Sequence, residues 1–207
     1  MSAFSKVAAR LSRMQRGKSF NIEGFYSLGT LTAVQKAMSR LAQAGEVVRV
    51  SKGYYVRPKP LKAMPAIKVT TSARELAHTW AKNHSYSLVP QGLEAAHRLG
   101  LQQQAPMKTI YWSSGPTRTF KIGNEVVEIK HRAKKVLRWP NKPEGALLRG
   151  LLALAPGEVA ESDILLAFKR LSLATPEAIK VVQKLRNQAL PPAWQSKLAH
   201  CEVMLLS

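Results

Sequence analysis

Two sets of polar residues have types and spacings that could support chemistry, one catalytic and the other for recognition. Glu128 and Lys130 lie on a predicted strand with the E-x-K spacing of metal-dependent nucleases. Such a site needs an upstream carboxylate that shares the divalent cation with this glutamate. The single aspartate of the chain, Asp163, lies downstream on a predicted helix, so a metal-dependent nuclease is the weaker interpretation.

The second set lies on a predicted helix from Thr30 to Ala44 and carries hydrogen-bonding groups. Arg and Gln can form paired hydrogen bonds with base edges in the major groove of DNA, while Ser, Thr and Lys can contact bases or phosphates. Residues 24–45 contain no acidic side chain, which is unusual for a helix face that is only solvated. The side chains expected to contact DNA here are Thr30, Thr32, Gln35, Lys36, Ser39 and Arg40.

The elements around this helix have the order of a winged helix-turn-helix. A helix over 3–16, a short helix over 22–28 and a turn at Gly29 precede it, and a hairpin with strands 46–50 and 54–57 follows. Apolar residues at helical spacing predict a buried stripe of Leu31, Val34, Met38 and Leu41. Cations of the wing and of the first helix are expected to contact phosphate: Arg49, Lys52, Arg57, Arg10 and Arg13.

The distribution of charge supports a polyanionic partner. The net charge is +20, from 32 Lys and Arg against 12 Asp and Glu, and a positive field of this size favours nucleic acid. Residues 1–58 carry ten basic and two acidic side chains, residues 59–139 fourteen and four, and residues 140–207 eight and six. The basic side chains of the middle region that could extend the contact with a polyanion are Arg98, Arg118, Lys121, Lys130 and Arg132.

The proline-rich stretch over 59–68 is the predicted linker between two domains. Residues 1–58 are the predicted winged helix-turn-helix, and residues 69–207 the predicted second domain, which ends in a helical region. Its strands form a hairpin around Gly123-Asn124 instead of alternating with helices, which predicts the α+β class. Four C-terminal helices are predicted over 143–155, 161–173, 176–190 and 192–205.

Several classes of protein are disfavoured by the sequence. No apolar run approaches the roughly 18 to 20 residues of a membrane span, and the basic N-terminal residues lack the apolar core of a secretory signal. A single cysteine, Cys201, excludes an internal disulfide, and the five histidines have no metal-ligand spacing within one helix. We therefore expect a cytoplasmic, non-enzymatic protein without a cofactor, a metal or a membrane partner.

Motifs within residues 20–132 resemble those of the shorter, two-domain AbiEi-type antitoxins. The motifs are Gly53-Tyr54-Tyr55-Val56-Arg57-Pro58, Gly92-Leu93-Glu94-Ala95, Arg98-Leu99-Gly100-Leu101, Ser114-Gly115-Pro116-Thr117-Arg118, Ile122-Gly123-Asn124 and Lys130-His131. The resemblance implies a bacterial protein that represses its own operon and neutralises a nucleotidyltransferase-like toxin of type IV. Its partners would then be double-stranded DNA of its own operator, and the cognate toxin or that toxin's nucleic-acid substrate.

A basic RNA-binding or ribosome-associated protein is the first alternative function, since winged helices also bind structured RNA. The metal-dependent nuclease is the second. The C-terminal helices carry no motif that favours any of these functions.

Overall fold

A computed structural model describes residues 1–60, 68–134 and 136–207 of the chain. Its helices and small sheets confirm the predicted α+β class. The predicted linker over 59–68 falls largely on residues 61–67, which lie outside the described residues.

The chain divides into two compact units. The first unit contains residues 1–85 and 119–127, and the second contains residues 86–118 and 128–207. The helix after the predicted linker belongs to the first unit.

The first unit begins with α1 (Ala3–Ser12), whose N-terminus is capped by the Ser2 hydroxyl, 3.2 Å from the backbone nitrogen of Ser5. The next elements are β1 (Ser19–Asn21), a 3₁₀ helix (Ile22–Leu28), α2 (Leu31–Gln43), β2 (Val48–Ser51) and β3 (Tyr54–Val56). The three strands form an antiparallel sheet in the order β1-β3-β2. The helices and the hairpin were predicted, whereas β1 was not.

The core of this region lies between α1, the 3₁₀ helix and the inner face of α2. Val34, Met38 and Leu41 are buried as predicted, and they cluster with Val7 and Phe25. Leu31 is 54% exposed, so its predicted place in the buried stripe is wrong. Side chains on a helix tilt toward its N-terminus, so a side chain at the first position projects past the end of the helix.

Three further elements follow in the first unit. The short strands β4 (Lys59–Pro60) and β5 (Lys68–Val69) pair antiparallel. Next comes α3 (Ala73–Asn83), which begins at the predicted capping box of Ser72 and Glu75. The Thr79 hydroxyl of α3 lies 2.7 Å from the Ser19 hydroxyl of β1, so α3 packs onto the three-stranded sheet.

A four-stranded sheet follows α3 in the chain. Its strands are β6 (Leu88–Pro90), β7 (Thr109–Ser113), β8 (Arg118–Ile122) and β9 (Glu125–His131), in the order β6-β7-β9-β8. The helix α4 (Gly92–Leu99) connects β6 to β7. The predicted hairpin turn between β8 and β9 is confirmed, and Gly123 in this turn has a φ of +58°, which favours glycine.

The C-terminal part of the second unit is helical, as predicted. It comprises α5 (Pro143–Leu151), a 3₁₀ helix (Pro156–Glu158), α6 (Glu161–Arg170), α7 (Thr175–Arg186) and α8 (Pro192–Leu206). Leu147, Phe168 and Trp194 are among its fully buried side chains. Among the described residues, no helix combines the length and the apolar character needed to cross a membrane.

One buried charge in this helical part has no acidic partner. Arg149 of α5 is only 5% exposed and donates a hydrogen bond from Nη1 to the Arg138 carbonyl at 3.2 Å. Its Nε atom has no partner among the described residues. Burial lowers the pKa of Arg149 to about 10, because an apolar environment disfavours the charged form.

Candidate nucleic-acid interface

The outer face of α2 presents the side chains that the sequence predicted for base recognition. Thr32, Gln35, Lys36, Ser39 and Arg40 are all exposed. Within the described part of the chain, none of the five forms a hydrogen bond or an ion pair through its side chain with another residue. Their donors and acceptors are therefore free for an external partner.

Thr30, also predicted to contact DNA, has a structural role at the start of α2. Its hydroxyl accepts a hydrogen bond from the backbone nitrogen of Ala33 at 3.3 Å, which caps the helix. The exposed Leu31 follows it, so the N-terminus of α2 adds an apolar side chain to the polar face. An apolar side chain of this kind suits the methyl group of thymine.

The wing is the hairpin of β2 and β3. Arg49 and Lys52 are exposed on it, as a phosphate contact requires. The turn is made possible by Gly53, whose φ of +78° is rarely adopted by other residues. The register shifts between Arg49 and Ser51, and this irregularity in β2 lies beside the turn.

Arg57 was predicted as a third wing cation, but its half-buried side chain bonds to other parts of the protein. Its Nη1 donates to the carbonyls of Leu11, Ser12 and Met14 at 3.2, 2.8 and 3.4 Å. The Leu11 and Ser12 carbonyls lie in the last turn of α1 and the Met14 carbonyl lies just beyond it, and the Leu11 carbonyl also accepts a hydrogen bond from the Met14 backbone nitrogen at 2.9 Å. Arg57 therefore joins the end of the wing to the end of α1, and its guanidinium is less available for phosphate than the sequence predicted.

We expect Arg57→Ala to lower the free energy of unfolding by about 1–3 kcal/mol, because three carbonyls lose a charged donor. Thermal and urea denaturation measure this change. Arg49→Ala is the matched control, since it removes an exposed arginine of the same sheet and should stay within about 0.5 kcal/mol of the native protein. Equal stability of the two variants would contradict the structural role of Arg57.

The two cations predicted on α1 are both exposed. The Arg10 guanidinium lies over the ring of Phe25, 5.0 Å from its centroid, and borders a cleft of about 760 Å³ that also reaches residues of α3. Among the residues that the structure describes, the Arg13 side chain has no hydrogen-bond or ion-pair partner, so it is available for phosphate. Arg10 therefore already contacts an aromatic ring within the protein.

Two of the five predicted cations of the middle region are engaged within the protein. Arg98 bonds the buried Glu94 at 2.8 Å and the Tyr111 hydroxyl at 2.9 Å. Burial alone would lower the pKa of Arg98, but hydrogen bonds with Tyr111 and Glu94 outweigh it and raise that pKa above its ordinary value. Arg118 is half-buried and also has a partner within the protein, so neither is an open polyanion contact.

The other three predicted cations are more accessible. Lys121 is exposed, Lys130 lies 3.9 Å from Glu128, and the Arg132 guanidinium lies 5.7 Å from the centroid of the Trp112 ring. Trp112 was not predicted as a site residue, because the alternation of a strand does not show which of its two faces is covered by the rest of the protein.

Glu128, the candidate nuclease residue, is surrounded by cations. Its two carboxylate oxygens lie 3.6 Å from Lys108 Nζ and 3.9 Å from Lys130 Nζ. The described residues contain no group of three or more His, Cys, Asp or Glu side chains that could hold a metal ion. The nuclease alternative therefore gains no support from this geometry.

The model of the DUF6088 family, a family of unknown function, matches residues 6–172. The chain belongs to this family. The match begins within α1 and ends just after α6, so the DUF6088 region contains the outer face of α2, the wing and the four-stranded sheet. It leaves α7 and α8 outside.

The crystal structure of the RV2827C protein from Mycobacterium tuberculosis is similar to this member of the DUF6088 family with a TM-score of 0.44. The sequences are 11% identical, and the alignment covers 97% of this chain and 75% of the other. A comparison with curated proteins found no match.

Proposed function

We propose that this chain is a sequence-specific, double-stranded-DNA-binding autorepressor with a winged helix-turn-helix. The observation that carries the proposal is the outer face of α2, where Gln35, Lys36 and Arg40 are exposed without partners in the protein. The order helix, strand, helix, helix, strand, strand and the sheet order β1-β3-β2 support a winged helix, in which α2 would be the recognition helix.

In the proposed complex, α2 lies in the major groove. Gln35 and Arg40 read base edges, and Leu31 suits a thymine methyl. Lys52 and Arg49 of the wing and Arg13 at the C-terminal cap of α1 contact phosphate, which contributes affinity and register without sequence information. The three side chains that contact bases would therefore determine specificity, and the cations would determine the salt dependence.

The biological role proposed for this binding rests on the resemblance to AbiEi-type antitoxins. The chain would be cytoplasmic, would repress its own operon and would neutralise a nucleotidyltransferase-like toxin, either directly or through the toxin's nucleic-acid substrate. Coexpression with a nucleotidyltransferase encoded beside the gene tests this part, because an antitoxin restores growth that the toxin alone arrests. Continued growth arrest would refute the antitoxin role without affecting the DNA-binding proposal.

Footprinting on the chain's own promoter at low and at near-physiological salt tests DNA binding. Specific readout predicts that protection of one site persists at the higher salt, because base contacts survive when phosphate contacts weaken. A general attraction to polyanions predicts uniform protection at low salt that disappears at the higher salt. The second outcome would leave α2 without a role in sequence recognition.

A further inference from the structure

The part of the four-stranded sheet that belongs to the second unit has a partly open face. Along β7, Tyr111 and Ser113 are 1% and 0% exposed, whereas Trp112 between them is half-buried. In β9, the neighbouring strand, Ile129 is fully buried while Glu128 and Lys130 on either side of it are partly exposed. Because successive side chains of a strand point to opposite faces, Trp112 points away from the buried Tyr111, and Glu128 and Lys130 point away from Ile129.

One cation lies near the ring on this face, and two more lie beside the carboxylate of the neighbouring strand. The Arg132 guanidinium lies 5.7 Å from the centroid of the Trp112 ring. Lys108 Nζ and Lys130 Nζ lie 3.6 and 3.9 Å from the two oxygens of Glu128. We call these residues the tryptophan patch: Lys108, Trp112, Glu128, Lys130 and Arg132. It combines one indole ring with three cations and a single carboxylate.

Hydrogen bonds fix the end of β9 that carries the patch. Arg132 N donates to the Ser113 carbonyl at 2.9 Å, and His131 N donates to the Thr117 hydroxyl at 3.1 Å. Gly115 in the turn before β8 lies against Tyr86, where a Cβ atom would come within 2.4 Å of the ring. The backbone under Lys130 and Arg132 is therefore held in place before any ligand binds, which reduces the entropy cost of binding.

We propose that the tryptophan patch binds single-stranded nucleic acid, with one base stacked on Trp112 and the adjoining phosphates on Lys108, Lys130 and Arg132. Aromatic rings interleaved with cations on a sheet are the usual means of binding unpaired bases. A duplex keeps its base faces inside its own stack, so only a single strand offers a base to the indole ring. The exposed Arg132 side chain can move from the ring to a phosphate as the base enters.

This inference is independent of the proposed duplex-reading role of α2. An acidic peptide is the competing ligand for three cations, but it would leave the indole ring without a function. Single-stranded RNA and single-stranded DNA share the chemistry that the patch recognises, and the experiment below separates them.

Fluorescence titration of the full chain with oligouridylate and oligothymidylate of about 12 nucleotides tests the proposal. Trp80 and Trp194 are each 1% exposed and Trp139 lies outside the patch, so stacking on Trp112 should quench the part of the signal that comes from Trp112. We expect Trp112→Leu to remove this quenching and, in a competition assay with labelled oligomer, to weaken binding roughly 5- to 150-fold, the effect of losing one stacked base. Quenching by one oligomer but not the other identifies RNA or DNA as the ligand.

A second variant keeps the test decisive if Trp112→Leu fails to fold. Lys130→Ala with Arg132→Ala should reduce the slope of log affinity against log salt by about 0.7 per cation. Trp139→Phe is the matched control, because Trp139 is also half-buried and has Arg138 and Lys184 over its ring at 4.4 and 4.7 Å. It should leave the affinity for the oligomer unchanged.

Three results would overturn the proposal. The first is a failure of both oligomers to bind, and the second is an affinity that neither patch variant changes. The third is a chain that binds polyglutamate but neither oligomer, with the binding of polyglutamate weakened by Lys130→Ala with Arg132→Ala. A variant with Gln35→Ala and Arg40→Ala should still bind the oligomers, so failure of this proposal is distinguishable from failure of the duplex-binding one.

Discussion

Gln35→Ala with Arg40→Ala is expected to abolish the footprint on the chain's own promoter while leaving the fold intact. A side chain that pairs with a base edge contributes about 1–3 kcal/mol of discrimination, so the double variant should lose most of its preference for the operator over unrelated DNA. Both side chains are exposed and have no partners in the protein, so the free energy of unfolding should change by less than about 0.5 kcal/mol. Competition footprinting and urea denaturation measure the two quantities.

Two control variants separate specificity from general attraction. Lys52→Ala on the wing should weaken binding to every sequence by a similar factor and make the salt dependence shallower by about 0.9 in log–log slope. Lys180→Ala removes an exposed cation from α7 and should leave operator binding unchanged. Full protection by the Gln35 and Arg40 double variant would exclude α2 as the recognition helix.

Arg149→Met is expected to raise the free energy of unfolding by about 1–4 kcal/mol. The native guanidinium is buried and, among the described residues, has no acidic partner and makes one hydrogen bond to a carbonyl, so folding desolvates a charge with little compensation. Methionine fills similar space without the charge. Urea denaturation near neutral pH measures the gain, and Arg149→Lys, which keeps a charge at this position, should show none.

The lowered pKa of Arg149 also predicts how the free energy of unfolding changes with pH. The pKa of Arg149 is lower in the folded chain, at about 10, than in the unfolded chain, so the unfolded state binds more protons above pH 10. The free energy of unfolding therefore rises as the pH increases through about 10, because the buried guanidinium loses its proton in the folded protein before it does so in the unfolded chain. The difference between the native chain and Arg149→Met should shrink there, and a constant difference would contradict the assignment.

The elements of the fold were largely predictable, because hydrophobic spacing and turn residues act locally. The exposed polar face of α2 was predicted from the helical spacing of its apolar residues, and the hairpin of β8 and β9 was predicted from Gly123-Asn124. β1 was missed because three residues, of which only Phe20 is buried, are too few to show alternation. Leu31 was misplaced because the period does not show where the core ends along a helix.

The roles of single cations were less predictable, since they depend on contacts between residues that are distant in the sequence. Arg57 caps carbonyls up to 46 residues earlier in the chain, and no local pattern distinguishes it from the exposed Arg49. Arg98 and Glu94 are four residues apart on one helix, so their ion pair could have been expected from helical geometry. The hydrogen bond from Arg98 to the Tyr111 hydroxyl could not, because Tyr111 lies on a different element. The burial of Arg149 likewise depends on packing between elements that are distant in the sequence.

The pairing of β4 with β5 has a consequence for how the protein can be engineered. Lys59 lies opposite Val69, so the pairing holds together the two ends of the segment over 61–67. When the ends of a segment are held by their own hydrogen bonds, each doubling of its length costs only about 0.6 kcal/mol. An epitope tag or fluorophore-labelling sequence inserted between Pro60 and Lys68 should leave both compact units folded, which makes this position suited to reporters of binding.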